Sequence, residues 1–124
     1  MKYMILIHSN PQSREIWDSF GPEERADGLA AYEALVDDLV RTGELVVTEA
    51  LADPSLTRRV AVGPDGRVST TDGPFAEAKE LLAGFFLVEC ASQDRAVEIA
   101  ARIPEAPLGL VEVRPVMQLS DAEL

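Results

Sequence analysis

The sequence predicts an α+β domain in which two β-α-β units flank a β-hairpin. Apolar side chains alternate at strand spacing and at helix spacing in the order β-α-β, hairpin, β-α-β. An Asp-Gly pair between two short β-prone runs marks the hairpin turn. The simplest arrangement is a ferredoxin-like split βαβ fold with an inserted β-hairpin. Its antiparallel sheet would carry two helices on one face.

Residues 2–8 are predicted to form the first strand, with apolar side chains on both faces. Residues 9–21 are expected to be a loop, because two X-Pro turn signals interrupt them. A helix should begin at Pro22 and end near Gly43. Residues 45–51 form the second strand. The apolar stripe of the helix is predicted to comprise Leu29, Tyr32, Val36, Leu39 and Val40.

The second half starts with residues 57–63 and 67–71, which are joined by the Asp-Gly turn as a hairpin. Residues 84–90 form a strand with large side chains on both faces. Ser92 is a suitable N-cap for a helix that ends at Pro104, and residues 110–116 form the last strand. The apolar stripe of this helix is predicted to comprise Ala96, Ile99, Ala100 and Ile103.

Length and composition favour one globular domain over residues 1–118, followed by a loose C-terminal tail at 119–124. No apolar run reaches the length of about 18 residues that a membrane span needs. The first apolar run stops at His8, too early for a secretory signal. Cys90 is the single cysteine, which fits a reducing compartment, so we expect a cytoplasmic protein.

The 22 acidic and 11 basic residues give a net charge of −11. Such a surface repels phosphate backbones and anionic lipids, so nucleic acids and membranes are not expected partners. Two helices cover only one face of the predicted sheet, yet two of its strands are apolar on both faces. A second copy of the chain is the simplest cover for the other face, and we expect a homodimer.

Four segments resemble the DGPF-type proteins of the YCII-related family. They are residues 2–8 (KYMILIH), 72–80 (DGPFAEAKE), 84–88 (GFFLV) and 111–116 (VEVRPV). The resemblance runs nearly end to end, and it implies a dimeric α+β barrel in which two sheets pack face to face beside a cleft. It also implies a small-molecule role without metal or cofactor, as in lyases, isomerases and monooxygenases of the wider superfamily. Association with an alternative sigma factor is a further implication.

Two departures from that family are visible. Ala78 occupies a position that is usually Thr. In the YCII branch proper, a His and an Asp are thought to form an acid–base pair, and the corresponding positions here are Tyr32 and Ile103. The mechanism of that branch therefore does not transfer directly.

His8 is the only histidine, so imidazole acid–base chemistry would have to use it. Asp72 would accept a ligand proton or hold His8 if its loop folds over the cleft. We therefore predict His8 and Asp72 as catalytic residues. The alternatives are a half-buried structural histidine and an aspartate that caps backbone amides of the loop.

Four further side chains are predicted to bind a ligand. Arg114 shares one face of the last strand with Glu112 and is suited to an anionic group. Glu77 and Lys79 lie in the segment at residues 72–80, and Tyr32 is positioned to line a pocket. The alternatives are ordinary solvated charges and a packed tyrosine. The sequence has no cluster of metal-ligating residues and no glycine-rich phosphate loop, so we predict neither a metal nor a cofactor.

Three functions fit these observations. The first is a cofactor-independent lyase or isomerase acting on a small organic molecule in a cleft. The second is a non-catalytic module that binds a ligand or a partner protein such as a sigma factor. The third is a structural dimer in which residues 72–80 only support the fold.

Overall fold

A computed structural model, which describes residues 1–121, confirms the predicted α+β architecture. A four-stranded sheet with the strand order of a ferredoxin-like fold, β2-β5-β1-β6, has only antiparallel neighbours. The inserted hairpin pairs β3 with β4. The strands are β1 (Lys2–Ser9), β2 (Leu45–Ala50), β3 (Arg58–Val62), β4 (Val68–Asp72), β5 (Leu81–Glu89) and β6 (Val111–Pro115), and the helices are α1 (Pro11–Ser19), α2 (Pro22–Thr42) and α3 (Gln93–Ala100).

The expected loop at residues 9–21 is wrong, because most of it forms helix α1. The side chain of Asn10 accepts a hydrogen bond from the backbone N–H of Ser13 at 2.7 Å. Pro11 occupies the first turn, where the missing N–H costs nothing. The Asn-Pro pair therefore begins a helix here rather than a turn.

Helices α2 and α3 cover one face of the sheet and enclose the core. The strands contribute alternate residues such as Ile5 and Phe86, which are almost fully buried. The predicted stripe of α2 needs a correction. Leu29 and Val40 are 58% and 63% exposed, whereas Leu35 is fully buried. The buried side follows the spacing of Tyr32, Leu35, Val36 and Leu39, which keeps to the helical period.

The opposite side of the sheet, which we call the open face, has no helix packed on it in the described residues. Its apolar side chains are Met4 and Leu6 of β1 and Phe85 and Leu87 of β5. All four are half-buried, whereas Ile5 and Phe86, which face the helices from the same strands, are almost fully buried. Val111 and Val113 of β6 point to the core, so Glu112 and Arg114 lie on the open face.

Two segments extend beyond the sheet. Every residue of strands β3 and β4 is exposed, and residues 72–80, here called the signature loop, connect the hairpin to β5. Residues 119–121 form a short 3-10 turn, whereas residues 122–124 of the predicted tail lie outside the described residues. No helix in the described part of the chain is both long and apolar enough to cross a membrane.

Candidate functional site

His8 lies near the end of β1, just after an irregularity in the pairing of β1 with β5. Its imidazole Nε2 is 2.7 Å from Oε1 of Glu112 on the neighbouring strand β6. Leu6 is the cross-strand partner of Glu112, so the carboxylate is a diagonal neighbour of His8 on the open face. An imidazole and a carboxylate therefore lie side by side at one end of the open face.

The two members of this pair differ in exposure. The His8 side chain is 17% exposed and that of Glu112 is 67% exposed. The imidazole and the carboxylate are close but not aligned as a hydrogen bond. Both ring nitrogens are buried without an aligned partner among the described residues. Unpaired buried polar groups are costly and rare, so these ring nitrogens call for a partner such as a water, an ion or a ligand.

Arg114 is the second charged group of β6 on the open face, directly opposite Met4. It is exposed, and it forms no ion pair with the part of the chain that the structure describes. The ligand-binding role of Arg114 stays a prediction, with which an exposed guanidinium is compatible.

Asp72 is not brought to His8. Its carboxylate lies 3.7 Å from Nε of Arg58, its cross-strand partner at the base of the hairpin, and both side chains are largely exposed. The backbone of the next residue, Gly73, is held by a hydrogen bond. Gly73 adopts a positive φ of 87° and donates its N–H to the carbonyl of Thr57 at 2.7 Å.

A cleft of about 500 Å³ lies between the hairpin, the signature loop and the start of β5. Its lining includes Arg59 and Val60 of β3, Phe75 of the signature loop and Leu82 of β5. Leu82 is also the cross-strand partner of His8. The cleft therefore adjoins the end of the open face where the His8–Glu112 pair lies.

Tyr32 lies on the other side of the sheet. Its ring stacks on that of Phe86 in the core, with 6.4 Å between centroids, and its hydroxyl donates a hydrogen bond to Glu105. Burial, and then the bond to Glu105, raise the pKa of the Tyr32 hydroxyl above its usual range. The sheet thus separates this predicted ligand-binding residue from His8.

Glu77 and Lys79 are exposed and line a shallow groove beside Asn10 and Arg14 at the start of α1. They do not line the cleft that holds Phe75. Of the six predicted site residues, the structure places His8 and Arg114 on one surface. The other four lie in three separate places.

Two residues of the site were not predicted for it. Glu112 was noted only for its face on the last strand. The signal that reveals its partner is the strand order, because β6 beside β1 sets Glu112 diagonally from His8. Arg59 was not considered. The signal that could have found it is the Arg58-Arg59 pair, since two adjacent arginines stand out in a chain of net charge −11.

Comparisons with known proteins agree with this fold. The model of the YCII-related domain matches residues 1–120. The chain is 31% identical over 126 residues to the uncharacterised protein R00369 of Rhizobium meliloti strain 1021, covering 100% of this chain and 98% of that protein. A solved structure of 5-chloro-2-hydroxyhydroquinone dehydrochlorinase (TftG) from Burkholderia phenoliruptrix AC1100, in complex with 2,5-dihydroxybenzoquinone, is similar with a TM-score of 0.51. It is 18% identical, and the alignment covers 99% of this chain and 100% of that one.

Proposed function

The chain belongs to the YCII-related domain family, and on that premise we propose that it binds a small organic molecule beside the open face and moves a proton on it. The reaction class is a cofactor-independent lyase or isomerase. The observation that carries the proposal is the 2.7 Å approach of the His8 imidazole to the Glu112 carboxylate. Imidazole and carboxylate are the side chains best suited to general acid–base catalysis near neutral pH.

The accessible end of the pair is the carboxylate, since Glu112 is far more exposed than His8. A substrate C–H or O–H reaches Glu112 first and gives its proton to the carboxylate, whose reactivity the adjacent imidazole tunes electrostatically. Returning the proton to a different atom completes an isomerisation, and returning it to a leaving group completes an elimination. Arg114, on the same face, orients an anionic substrate group. Transfer of a proton in this way needs no electron carrier.

A second copy of the chain closes the site in this proposal. Met4, Leu6, Phe85 and Leu87 form an apolar centre on the open face, and each is only half-buried. Packing two such sheets face to face removes these side chains from water and turns the His8–Glu112 pair toward a shared interior. TftG shares the fold and was solved with a small quinone, which is consistent with a ligand of that size.

The test is a screen of small organic acids and hydroxyaromatics by thermal shift, followed by proton NMR of each stabilising compound in D₂O. Wild type is expected to raise the rate of C–H to C–D exchange or to form product, and Glu112→Gln to lose most of that rate. General acid–base groups contribute about 10²–10⁴-fold. Glu112 is exposed, so this variant should fold normally, and its unchanged melting temperature is the control.

The alternative is a module that binds a ligand or partner without catalysis. Equal exchange rates in wild type and Glu112→Gln, with binding intact in both, would favour it. Association with a sigma factor and a cytoplasmic location stay predictions, which co-purification and cell fractionation would test.

A further inference from the structure

Arg59 is a cation without an anionic partner in a chain of net charge −11. Its guanidinium lies 4.5 Å from the centroid of the Phe75 ring. Within residues 1–121, no carboxylate lies within 4.0 Å of it and no protein acceptor bonds to it. The arginines that do form ion pairs in the described chain are Arg41, Arg58, Arg67, Arg95 and Arg102.

Phe75 is an unusual partner for this arginine, because its ring is 66% exposed. The ring and the guanidinium both line the cleft of about 500 Å³ beside the hairpin. A cation over an exposed ring contributes only about 0.5–1 kcal/mol, too little to explain why so large an apolar ring stays in water. The same contact leaves the N–H donors of Arg59 free for another group.

We propose that this cleft binds a planar organic acid, with its carboxylate on the guanidinium of Arg59 and its flat body against Phe75. The fork of N–H donors on arginine matches the two oxygens of a carboxylate. The apolar side chains of Val60 and Leu82 contact the body of the acid. This inference rests on the proposed function and names its substrate class, since Leu82 connects the cleft to His8.

Two other charged groups line the cleft. Arg58 is offset by Asp72 at 3.7 Å. Glu80 forms no ion pair in the described chain, so its carboxylate opposes an anion in the cleft. Substitutions of Arg59 and Glu80 should therefore change anion binding in opposite directions, which a merely structural role of the cleft would not produce.

The experiment is a titration of the full-length protein by isothermal calorimetry at low salt with three probes. Benzoate is planar and anionic, benzamide is planar and neutral, and cyclohexanecarboxylate is anionic and not planar. We expect benzoate to bind about ten-fold more tightly than benzamide, because only benzoate forms the charge-assisted pair. Cyclohexanecarboxylate is expected to bind more weakly than benzoate, because it lacks the flat face. Equal affinity for benzoate and benzamide would overturn the proposal.

Arg59→Gln should weaken benzoate binding about ten-fold and leave benzamide unchanged, whereas Glu80→Gln should strengthen benzoate binding. Arg67→Gln is the matched control, since Arg67 is on the same hairpin but outside the cleft and paired with Asp65. Equal losses in Arg59→Gln and Arg67→Gln would contradict the assignment. Glu112→Gln should still bind benzoate. A failure of catalysis with intact, Arg59-dependent binding would therefore count against the proposed function and not against this site.

Discussion

The two faces of the four-stranded sheet differ in how completely their side chains are satisfied. On the helix-covered face Phe86 is 2% exposed, and Tyr32 behind it has a partner in Glu105. On the open face Phe85, the preceding residue of the same strand, is half-buried, and the ring nitrogens of His8 have no aligned partner within residues 1–121. Because side chains alternate along a strand, a fully buried core position and a half-buried surface position are one residue apart. The open face is the side on which we propose that a second chain and a ligand bind.

The sharpest test of this contrast is a matched pair of substitutions on β5. Phe86→Ala removes a ring from the packed core, so we expect the free energy of unfolding to fall by about 3–5 kcal/mol. Phe85→Ala should cost far less in the isolated chain, because its ring is already partly in water. Urea unfolding of both variants at low protein concentration measures the difference.

Phe85→Ala should instead weaken association, since Phe85 lies in the apolar centre of the open face. Sedimentation of wild type and this variant over a concentration series tests that part. Equal unfolding costs for the two alanine variants, with no change in association, would remove the distinction between the faces.

The helical layer and the signature loop also differ in how a glycine-to-alanine substitution should change stability. Gly73 has a φ of 87°, so Gly73→Ala should destabilise the fold by about 1–2 kcal/mol, although open space surrounds the added Cβ. Gly28 lies inside α2, where an added Cβ meets only a side-chain atom of Trp17 at 3.8 Å. Gly28→Ala should therefore stabilise by about 0.5–1 kcal/mol. Thermal melts should show that the two variants shift the melting temperature in opposite directions. A melting temperature raised by Gly73→Ala would contradict the claim that the backbone at Gly73 disfavours a residue with a Cβ.

The helix-covered side also contains a pair whose contribution to stability depends on pH. Arg95 of α3 bonds both carboxylate oxygens of Glu44 at 2.8 and 3.0 Å, and this holds the pKa of Glu44 below its usual value of 4.5. The stability it contributes is present above the pKa of the unfolded chain. It is lost as the pH falls through the lower folded pKa.

Comparing Glu44→Gln with wild type isolates this contribution. We expect the variant to be less stable by about 1 kcal/mol near pH 7, and the deficit to shrink as the pH falls below the lowered folded pKa of Glu44. Urea unfolding at neutral and at acid pH is the measurement. A deficit that persists unchanged at acid pH would mean that lost packing, not lost charge, is responsible.

Much of the fold could be predicted because local signals agreed with it. Gly43 ends α2 with a φ of 77°, Ser92 caps α3, and the Asp-Gly turn closes the hairpin, all as the sequence indicated. Helix α1 was missed because the Asn-Pro pair that starts it is equally a turn signal. Local pattern alone could not separate those meanings.

The candidate site was less predictable, because its pairs lie far apart in the chain. His8 on β1 contacts Glu112 on the neighbouring strand β6. Arg59 on β3 contacts Phe75 in the signature loop, which follows the hairpin. The prediction that Asp72 holds His8 relied on the loop folding over the sheet. In the structure Asp72 lies opposite Arg58 in the β3–β4 pairing, and its carboxylate contacts that guanidinium instead.

The central claim is that a second copy of the chain covers the open face. Light scattering coupled to gel filtration at micromolar concentration tests it directly, using wild type and Leu87→Arg, which places a charge in the apolar centre of that face. We expect twice the chain mass of 13.5 kDa for wild type and the single-chain mass for a folded Leu87→Arg variant. A wild-type mass of one chain would contradict it.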